Sequence, residues 1–328
     1  MPWKELGLAI GHATDSAGAT GCTVIRGIDN SFRCAAHLLG RASGTRELAT
    51  CDPEHLVDRT DAVMLTGGSA YGLDAAAGVM RWMEERGRGH SIGTGVVPIV
   101  PAATIFDLAP LGQFSARPTA QMAYDACEHA SSTAVAEGSI GAGTGATVGK
   151  IGGPQFAMKG GVGCGTATNG SIVAAAIVVT NALGDVRNGS GVIIAGTRAA
   201  DGTMADGERL LRSASRAGAP SRSSADAASV RGNTTIAFVA VNASLTKVQL
   251  GQLAAATSAA FYRRITPCGT SFDGDVIFAA CLPAGADAPM PVIEALAVAA
   301  MEEAIERSVR LAVGRDGIPG LGEGDAGR

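Results

Sequence analysis

A threonine in the middle of the chain carries the groups that an N-terminal nucleophile needs. Thr234 follows Gly232 and Asn233 and opens a β-rich apolar run over residues 234–241. If the Asn233–Thr234 peptide bond is cut, Thr234 offers a hydroxyl nucleophile and its own α-amine as base, since an unperturbed α-amine titrates at about pH 7.7–8.0. The alternative is an ordinary buried strand, because β-branched runs often follow loops.

Two carboxylates near the C-terminal end could assist such a nucleophile. Asp273 and Asp275 flank Gly274, so both carboxylates point to one side of an extended segment, and the glycine permits a close approach. A carboxylate would orient the Thr234 ammonium but would raise its pKa, which works against its use as a base. The alternative for this triplet is a turn ahead of the next strand.

A lysine at the end of a glycine-rich run could offset that rise. Lys150 closes residues 141–150, and a cation near the Thr234 amine would lower the pKa of the amine by like-charge repulsion. A phosphate-binding loop does not fit, because Thr144 stands where its first glycine should be and Ile151 follows the lysine. A glycine-rich turn with a solvated lysine stays open as the alternative.

Several stretches resemble one family. Residues 232–236 resemble the self-cleavage site of the nylon-oligomer (aminohexanoate-oligomer) endohydrolases, which belong to the L-aminopeptidase/D-esterase (β-aminopeptidase) family of self-processing hydrolases. Other stretches similar to that family occur in the family's order: residues 11–14 with 20–24, 66–74, 141–150 and 272–275. Together they span about residue 7 to about residue 312.

The resemblance assigns roles to individual residues. It implies that Thr234 first attacks the carbonyl of Asn233, which divides the chain into residues 1–233 and 234–328, and then attacks substrate amides. It implies that Asp273 and Asp275 orient the threonine and its amine, that Lys150 is the active-site lysine, and that Asn181 donates to the oxyanion. Asn181 ends a buried apolar run, and its alternative role is that of a turn residue.

The chain departs from the family at an aromatic position. Where many members have a tyrosine near the oxyanion, the matching segment, residues 103–108, has Phe106, which cannot donate a hydrogen bond. Phe106 and Tyr71 are candidates to line the substrate pocket, although Tyr71 lies elsewhere in the chain and does not replace the missing hydroxyl.

Composition excludes several classes of protein. The chain has 328 residues, 46 glycines, only 4% aromatic residues and a formal net charge of −4, with no basic block, so we expect no nucleic-acid partner. No apolar run reaches about 18 residues and no signal pattern opens the chain, so we expect no membrane span and a cytoplasmic location. Seven scattered cysteines without a C-x-x-C pair fit reduced thiols, and five histidines lack metal-ligand spacing. We expect neither a metal nor a cofactor.

The element pattern predicts an α/β fold in a single domain. Strands and long helices interleave without a repeat, and the family resemblance narrows the fold to a four-layer αββα sandwich like that of N-terminal-nucleophile hydrolases. Helices are predicted to begin at the caps Ser69 and Ser244. Residues 199–231 are predicted to form an exposed linker that ends at the scissile bond, and residues 314–328 a frayed tail.

The predicted function is that of a self-processing threonine amidohydrolase for small peptides or aminohexanoate oligomers. By resemblance, the processed pairs assemble as a homotetramer. The alternatives are an aminopeptidase or β-peptidyl aminopeptidase that holds a free N-terminus, an acyl transferase related to the ornithine acetyltransferases, and a non-catalytic binding protein on the same scaffold.

Overall fold

The computed structural model of the protein describes residues 1–213 and 232–323. The strands of the first half are β1 (Leu8–Asp15), β2 (Thr20–Gly27), β3 (Arg33–Leu38), β4 (Gly44–Arg46), β5 (Ala62–Thr66), β6 (His90–Ser91), β7 (Val96–Val97), β8 (Ala102–Thr104) and β9 (Thr147–Val148). Those of the second half are β10 (Met158–Lys159), β11 (Val162–Asn169), β12 (Ile172–Asn181), β13 (Asp185–Arg187), β14 (Ile193–Ala195), β15 (Thr234–Ala243), β16 (Ile265–Thr266) and β17 (Val276–Ala286). The α-helices are α1 (Ser69–Gly72), α2 (Ala76–Glu84), α3 (Ala120–Glu128), α4 (Gly207–Ser213), α5 (Lys247–Arg264) and α6 (Met290–Arg310).

Two five-stranded sheets form the centre of the molecule. The first sheet has the strand order β1-β2-β5-β8-β4, and the second has the order β11-β12-β15-β17-β3. In the second sheet β15 runs antiparallel to β12 and parallel to β17. The candidate nucleophile therefore lies on the central strand of its sheet, where both neighbours can fix it.

Successive side chains of a strand point to opposite faces of its sheet, and the buried apolar residues therefore form three separate core layers. In β5, Met64 packs outwards with α2 and α3, whereas Leu65 faces the second sheet. In β15, Phe238 faces the first sheet, whereas Val239 packs outwards with α5 and α6. Since each sheet buries one face against the other and one face against helices, the fold is the predicted four-layer αββα sandwich.

Both predicted helix caps differ in the structure. Ser69 has a φ of 53° and makes no capping hydrogen bond, because the chain turns at Gly68, whose φ is 81°. The predicted cap Ser244 lies ahead of the true one, Thr246, whose hydroxyl accepts from the backbone N–H of Gln249 in a capping box with the Gln249 side chain. In both places the start of the helix depends on backbone geometry that the sequence pattern does not reveal.

The predicted linker and tail are only partly described. Within the linker, α4 is described and residues 214–231 lie outside the described part. In the described part of the tail, Val313 bridges Gly322, Ile318 is only 7% exposed, and the Pro319 carbonyl accepts from the backbone N–H of Lys159. No helix within residues 1–213 and 232–323 is long and apolar enough to cross a membrane.

Candidate active site

Thr234 and Asn181 are cross-strand partners at the end of the second sheet. Thr234 is the first residue of β15 and Asn181 the last of β12, and the antiparallel register pairs them directly. Thr234 is only 4% exposed, and Asn181 is fully buried. The threonine thus begins a central strand, and the peptide bond before it lies just beyond the ladder.

The peptide carbonyl before Thr234 receives two hydrogen bonds. The Thr234 hydroxyl donates to the Asn233 carbonyl oxygen over 2.5 Å, and the backbone N–H of Gly274 donates to the same oxygen over 2.8 Å. Asn233 also forms a parallel β-bridge with Asp273. The Thr234 hydroxyl and a backbone N–H therefore meet at one carbonyl oxygen.

Backbone contacts fix the segment that supplies this donor. The carbonyls of Asp273 and Asp275 accept hydrogen bonds from the backbone N–H groups of residues 39–42. The approach requires a glycine at position 40, because a Cβ on Gly40 would lie 2.3 Å from the Asp273 carbonyl oxygen. The Gly274 N–H is consequently held in place before any reaction begins.

The two carboxylates are buried beside the nucleophile. Asp275 Oδ1 accepts from the backbone N–H of Thr235 over 2.6 Å, and Asp273 Oδ2 accepts from the N–H and hydroxyl of Thr270. Burial raises the pKa of Asp275 to about 7, with a further contribution from the charge of Asp273. Burial also raises the pKa of Asp273. Burial thus disfavours the charged form of both carboxyl groups.

Lys150 contacts the cross-strand partner of the nucleophile. Its Nζ donates to the backbone oxygen and to the side-chain Oδ1 of Asn181, each over 3.0 Å. Burial lowers the pKa of Lys150 to about 7, although Asp273 and Asp275 act in the opposite direction. The solvated-lysine alternative is therefore wrong, and the amine can lose its proton under ordinary conditions.

Asn181 uses its amide on two other carbonyls in the uncleaved chain. Its Nδ2 donates to the backbone oxygens of Phe106 and Gly232, over 3.0 and 3.1 Å, and its Oδ1 accepts from the N–H of Thr147. The donor on the Asn233 carbonyl is instead the Gly274 N–H described above. The role of Asn181 as oxyanion donor stays a prediction.

A cavity of about 310 Å³ opens in front of the peptide group between Asn233 and Thr234. Its lining includes Phe106, Asn233 and Thr234, and the complete set is Ala42, Ser43, Gly44, Ser69, Ala70, Thr104, Ile105, Phe106, Gly232, Asn233, Thr234 and Phe272. Tyr71, the other pocket candidate, is not among these residues. It is 54% exposed, with its ring against Phe114 and under the Arg117 guanidinium.

Asp107, which supports a wall of this cavity, was not identified from the sequence. Its carboxylate accepts from the backbone N–H of Gly68 and from the Thr20 hydroxyl, each over 2.7 Å, and so fixes the loop that leads to Ser69. Burial raises the pKa of Asp107 to about 6. A single aspartate after an aromatic residue carries no motif, so only the fold reveals its role.

Among the residues that the structure describes, no group of three or more histidine, cysteine or acidic side chains could hold a metal ion.

The comparisons with known proteins concern first the fold of the chain and then its sequence family. The chain resembles the L-aminopeptidase D-Ala-esterase/amidase of Ochrobactrum anthropi, described as a variant of the Ntn hydrolase fold, with a TM-score of 0.68 and 19% identity over 93% of this chain and 84% of that one. The fold is thus that of an N-terminal-nucleophile hydrolase. The chain belongs to peptidase family S58, whose family model matches residues 6–320, and the recognition of this family from the sequence is confirmed.

Two relatives narrow the type of reaction. A protein of Mycobacterium tuberculosis described as an uncharacterized aminopeptidase is 39% identical over 302 residues, which cover 87% of this chain and 81% of that protein. The 6-aminohexanoate-oligomer endohydrolase of Paenarthrobacter ureafaciens is 31% identical over 279 residues, covering 83% and 72%. The protein is accordingly a hydrolase that acts on amide or peptide bonds.

Proposed function

We propose that the protein is a self-processing amidohydrolase with Thr234 as its nucleophile. The observation that carries this proposal is the position of the Asn233 carbonyl between the Thr234 hydroxyl and the Gly274 N–H. The site thus presents the chain's own peptide bond to its nucleophile, which is the geometry that self-cleavage needs.

The processing step balances as an N-to-O acyl shift followed by hydrolysis. Thr234 Oγ1 bonds to the Asn233 carbonyl carbon, the hydroxyl proton leaves, and the Gly274 N–H stabilises the charge on the carbonyl oxygen. The C–N bond then breaks and the Thr234 nitrogen gains a proton. Water resolves the ester into an Asn233 carboxylate and a free Thr234.

Before cleavage the Thr234 nitrogen belongs to a peptide bond and cannot act as a base. We assign that role to Lys150, because its amine contacts Asn181 across the ladder from Thr234 and burial lowers its pKa to about 7. After cleavage the Thr234 amine takes over as base, and Asp273 and Asp275 orient it.

For the mature enzyme we propose hydrolysis of amide bonds in small peptides or uncharged oligoamides through an acyl-enzyme on Thr234. The endohydrolase relative acts on 6-aminohexanoate oligomers by name, whereas the mycobacterial relative is named an aminopeptidase. Aminohexanoate oligomers with free and with acylated N-termini separate these two possibilities, because an aminopeptidase needs the free amine. The cytoplasmic location and the tetramer of processed pairs stay predictions.

Self-cleavage is tested directly by the size of the purified chain. On a denaturing gel the wild type should give two fragments, residues 1–233 and 234–328, and Thr234→Ala should stay whole. Thr235→Ala is the matched control, since its hydroxyl has no hydrogen-bond partner within the described residues, and it should cleave like the wild type. A wild-type chain that stays intact through prolonged incubation would refute the proposal.

A further inference from the structure

The uncleaved chain shows where the acyl part of a substrate would lie. In self-cleavage, Gly232 and Asn233 are the two residues on the acyl side of the bond that Thr234 attacks. Because the same hydroxyl then attacks external amides, the places of these two residues mark the subsites for the acyl half of a substrate. This reasoning rests on the proposed function.

We propose that Phe106 selects the substrate by excluding any side chain on the unit one before the attacked carbonyl. The site would then accept chains that carry an unsubstituted carbon there, such as a glycyl unit, and reject chains with a branched α-carbon. Phe106 acts here as a specificity-determining residue, in a position where the family resemblance had indicated only a missing hydroxyl.

The contact between Gly232 and Phe106 leaves no room for a side chain. A Cβ built on Gly232 would lie 2.3 Å from Cδ1, 2.4 Å from Cγ and 2.8 Å from Cβ of Phe106. These atoms stand at the root of the aromatic side chain, so rotation of the ring alone does not remove the overlap. Overpacking of this kind is strongly unfavourable.

Neither partner of this contact is free to move apart. The Asn181 amide donates to the backbone oxygens of both Gly232 and Phe106 and so holds the two residues together. On either side of Phe106, the Ile105 N–H donates to the Thr66 carbonyl and the Asp107 carboxylate accepts from Gly68. The wall that Phe106 forms is therefore anchored through both of its neighbours in the chain.

The register of the acyl chain is fixed as well. The attacked carbonyl is held by the Gly274 N–H, and the carbonyl before it is held by Asn181 Nδ2. Asn233 and Asp273 form an isolated parallel β-bridge. A bound peptide pairs with an exposed strand through backbone contacts of the same kind. With two successive carbonyls anchored, only one α-carbon can face Phe106.

The chain itself is the probe in a double-mutant cycle. Chains made by cell-free synthesis are followed on a denaturing gel for the wild type, Gly232→Ala, Phe106→Ala and the double variant. We expect Gly232→Ala to slow self-cleavage about tenfold or more in the wild type and by a factor at least about fivefold smaller beside Phe106→Ala, because the contacts with Cγ and Cδ1 are then gone and only the 2.8 Å contact with Cβ remains. The φ of 96° at residue 232 also disfavours alanine, but this effect is present in both backgrounds and cancels in the cycle.

Two matched controls and a second cavity-forming variant make the cycle specific. Gly251→Ala should leave the rate unchanged, since a Cβ there meets nothing within 4 Å, and Phe114→Ala removes an exposed aromatic ring outside the cavity. Phe106→Gly removes Cβ as well and should give a relief at least as large as that of Phe106→Ala, whereas Phe106→Leu keeps Cβ and Cγ and should leave the effect of Gly232→Ala close to that in the wild type.

External substrates extend the test to the mature enzyme. The ratio of kcat/KM for acetyl-Gly-Asn-anilide over acetyl-Ala-Asn-anilide should be about tenfold or more in the wild type and should fall at least about fivefold in Phe106→Ala or Phe106→Gly. If self-cleavage proceeds but the Gly232→Ala effect is equal in both backgrounds, the role of Phe106 is refuted and the Thr234 mechanism stands. If the wild type does not cleave itself, the proposed function is refuted instead.

Discussion

Two buried lysines in this molecule have the same pKa but different surroundings. Burial lowers the pKa of both Lys150 and Lys159 to about 7. The Lys159 amine donates to three backbone carbonyl oxygens, those of Gly143, Ala146 and Gly160. The Lys150 amine instead contacts the backbone and side chain of Asn181.

The difference shows that a shifted pKa does not by itself identify a catalytic group. Lys159 ties together turns of the glycine-rich segment, so its amine acts as a structural donor. Lys150 lies across the ladder from Thr234, and Asp273 and Asp275 act on its charge. We therefore base the proposed catalytic role of Lys150 on its neighbours, because burial lowers the pKa of both lysines.

Substitution of Lys150 should have the largest effect on self-cleavage. Both Lys150→Met and Lys150→Arg should slow it about 100-fold or more, because neither side chain can accept the Thr234 proton. The measurement is the rate of fragment appearance after cell-free synthesis. Near-normal cleavage by Lys150→Arg would show that only the positive charge matters and would remove the role of Lys150 as base.

Lys159→Met should act on stability rather than on chemistry. Loss of the amine takes one donor from each of three buried carbonyls, so we expect the free energy of unfolding to fall by about 2 kcal/mol in urea titration. Self-cleavage should stay within about threefold of the wild type. A loss of cleavage as large as that of Lys150→Met, in a variant that is still folded, would erase the distinction between the two lysines.

A change of pH should alter the rate of self-cleavage less than substitution of Lys150 does, by about tenfold per pH unit below the pKa of the base. In the proposed mechanism the neutral form of Lys150 is the base, and burial lowers its pKa to about 7, so the rate should rise with pH up to about 7 and level off above it. Burial raises the pKa of Asp275 to about 7, and the observed midpoint therefore belongs to the coupled group. Lys159→Met should keep this profile. A rate that is flat between pH 5 and 9 would contradict the assignment.

The sequence revealed the parts of the site better than their arrangement. Thr234 at the start of a strand and Asn181 at the end of another were both expected from apolar runs beside polar residues. The direct pairing of these two residues was not expected. They are 53 positions apart in the sequence, and the register between their strands is set by tertiary contacts. The Gly274 N–H could not be foreseen at all, since every residue except proline has such a donor.

The walls of the cavity were predicted least well. Tyr71 was a pocket candidate from its motif, but its side chain is directed to an exposed aromatic cluster with Phe114 and Arg117. Phe106 was identified, yet as a departure from a family pattern, and its contact with Gly232 depends on backbone approaches that no pattern encodes. The fold class can be predicted from periodicity and resemblance. The shape of a pocket cannot, because it changes with shifts of backbone and side-chain atoms that are smaller than an atomic diameter.

The most direct test of the account is to locate the acyl group during turnover. Processed protein is incubated with an activated ester, quenched in acid and analysed by mass spectrometry after digestion. The account predicts an adduct on the first residue of the fragment that begins at Thr234, and none in Thr234→Ala. An adduct on another residue, or hydrolysis of the ester at the wild-type rate by Thr234→Ala, would contradict it.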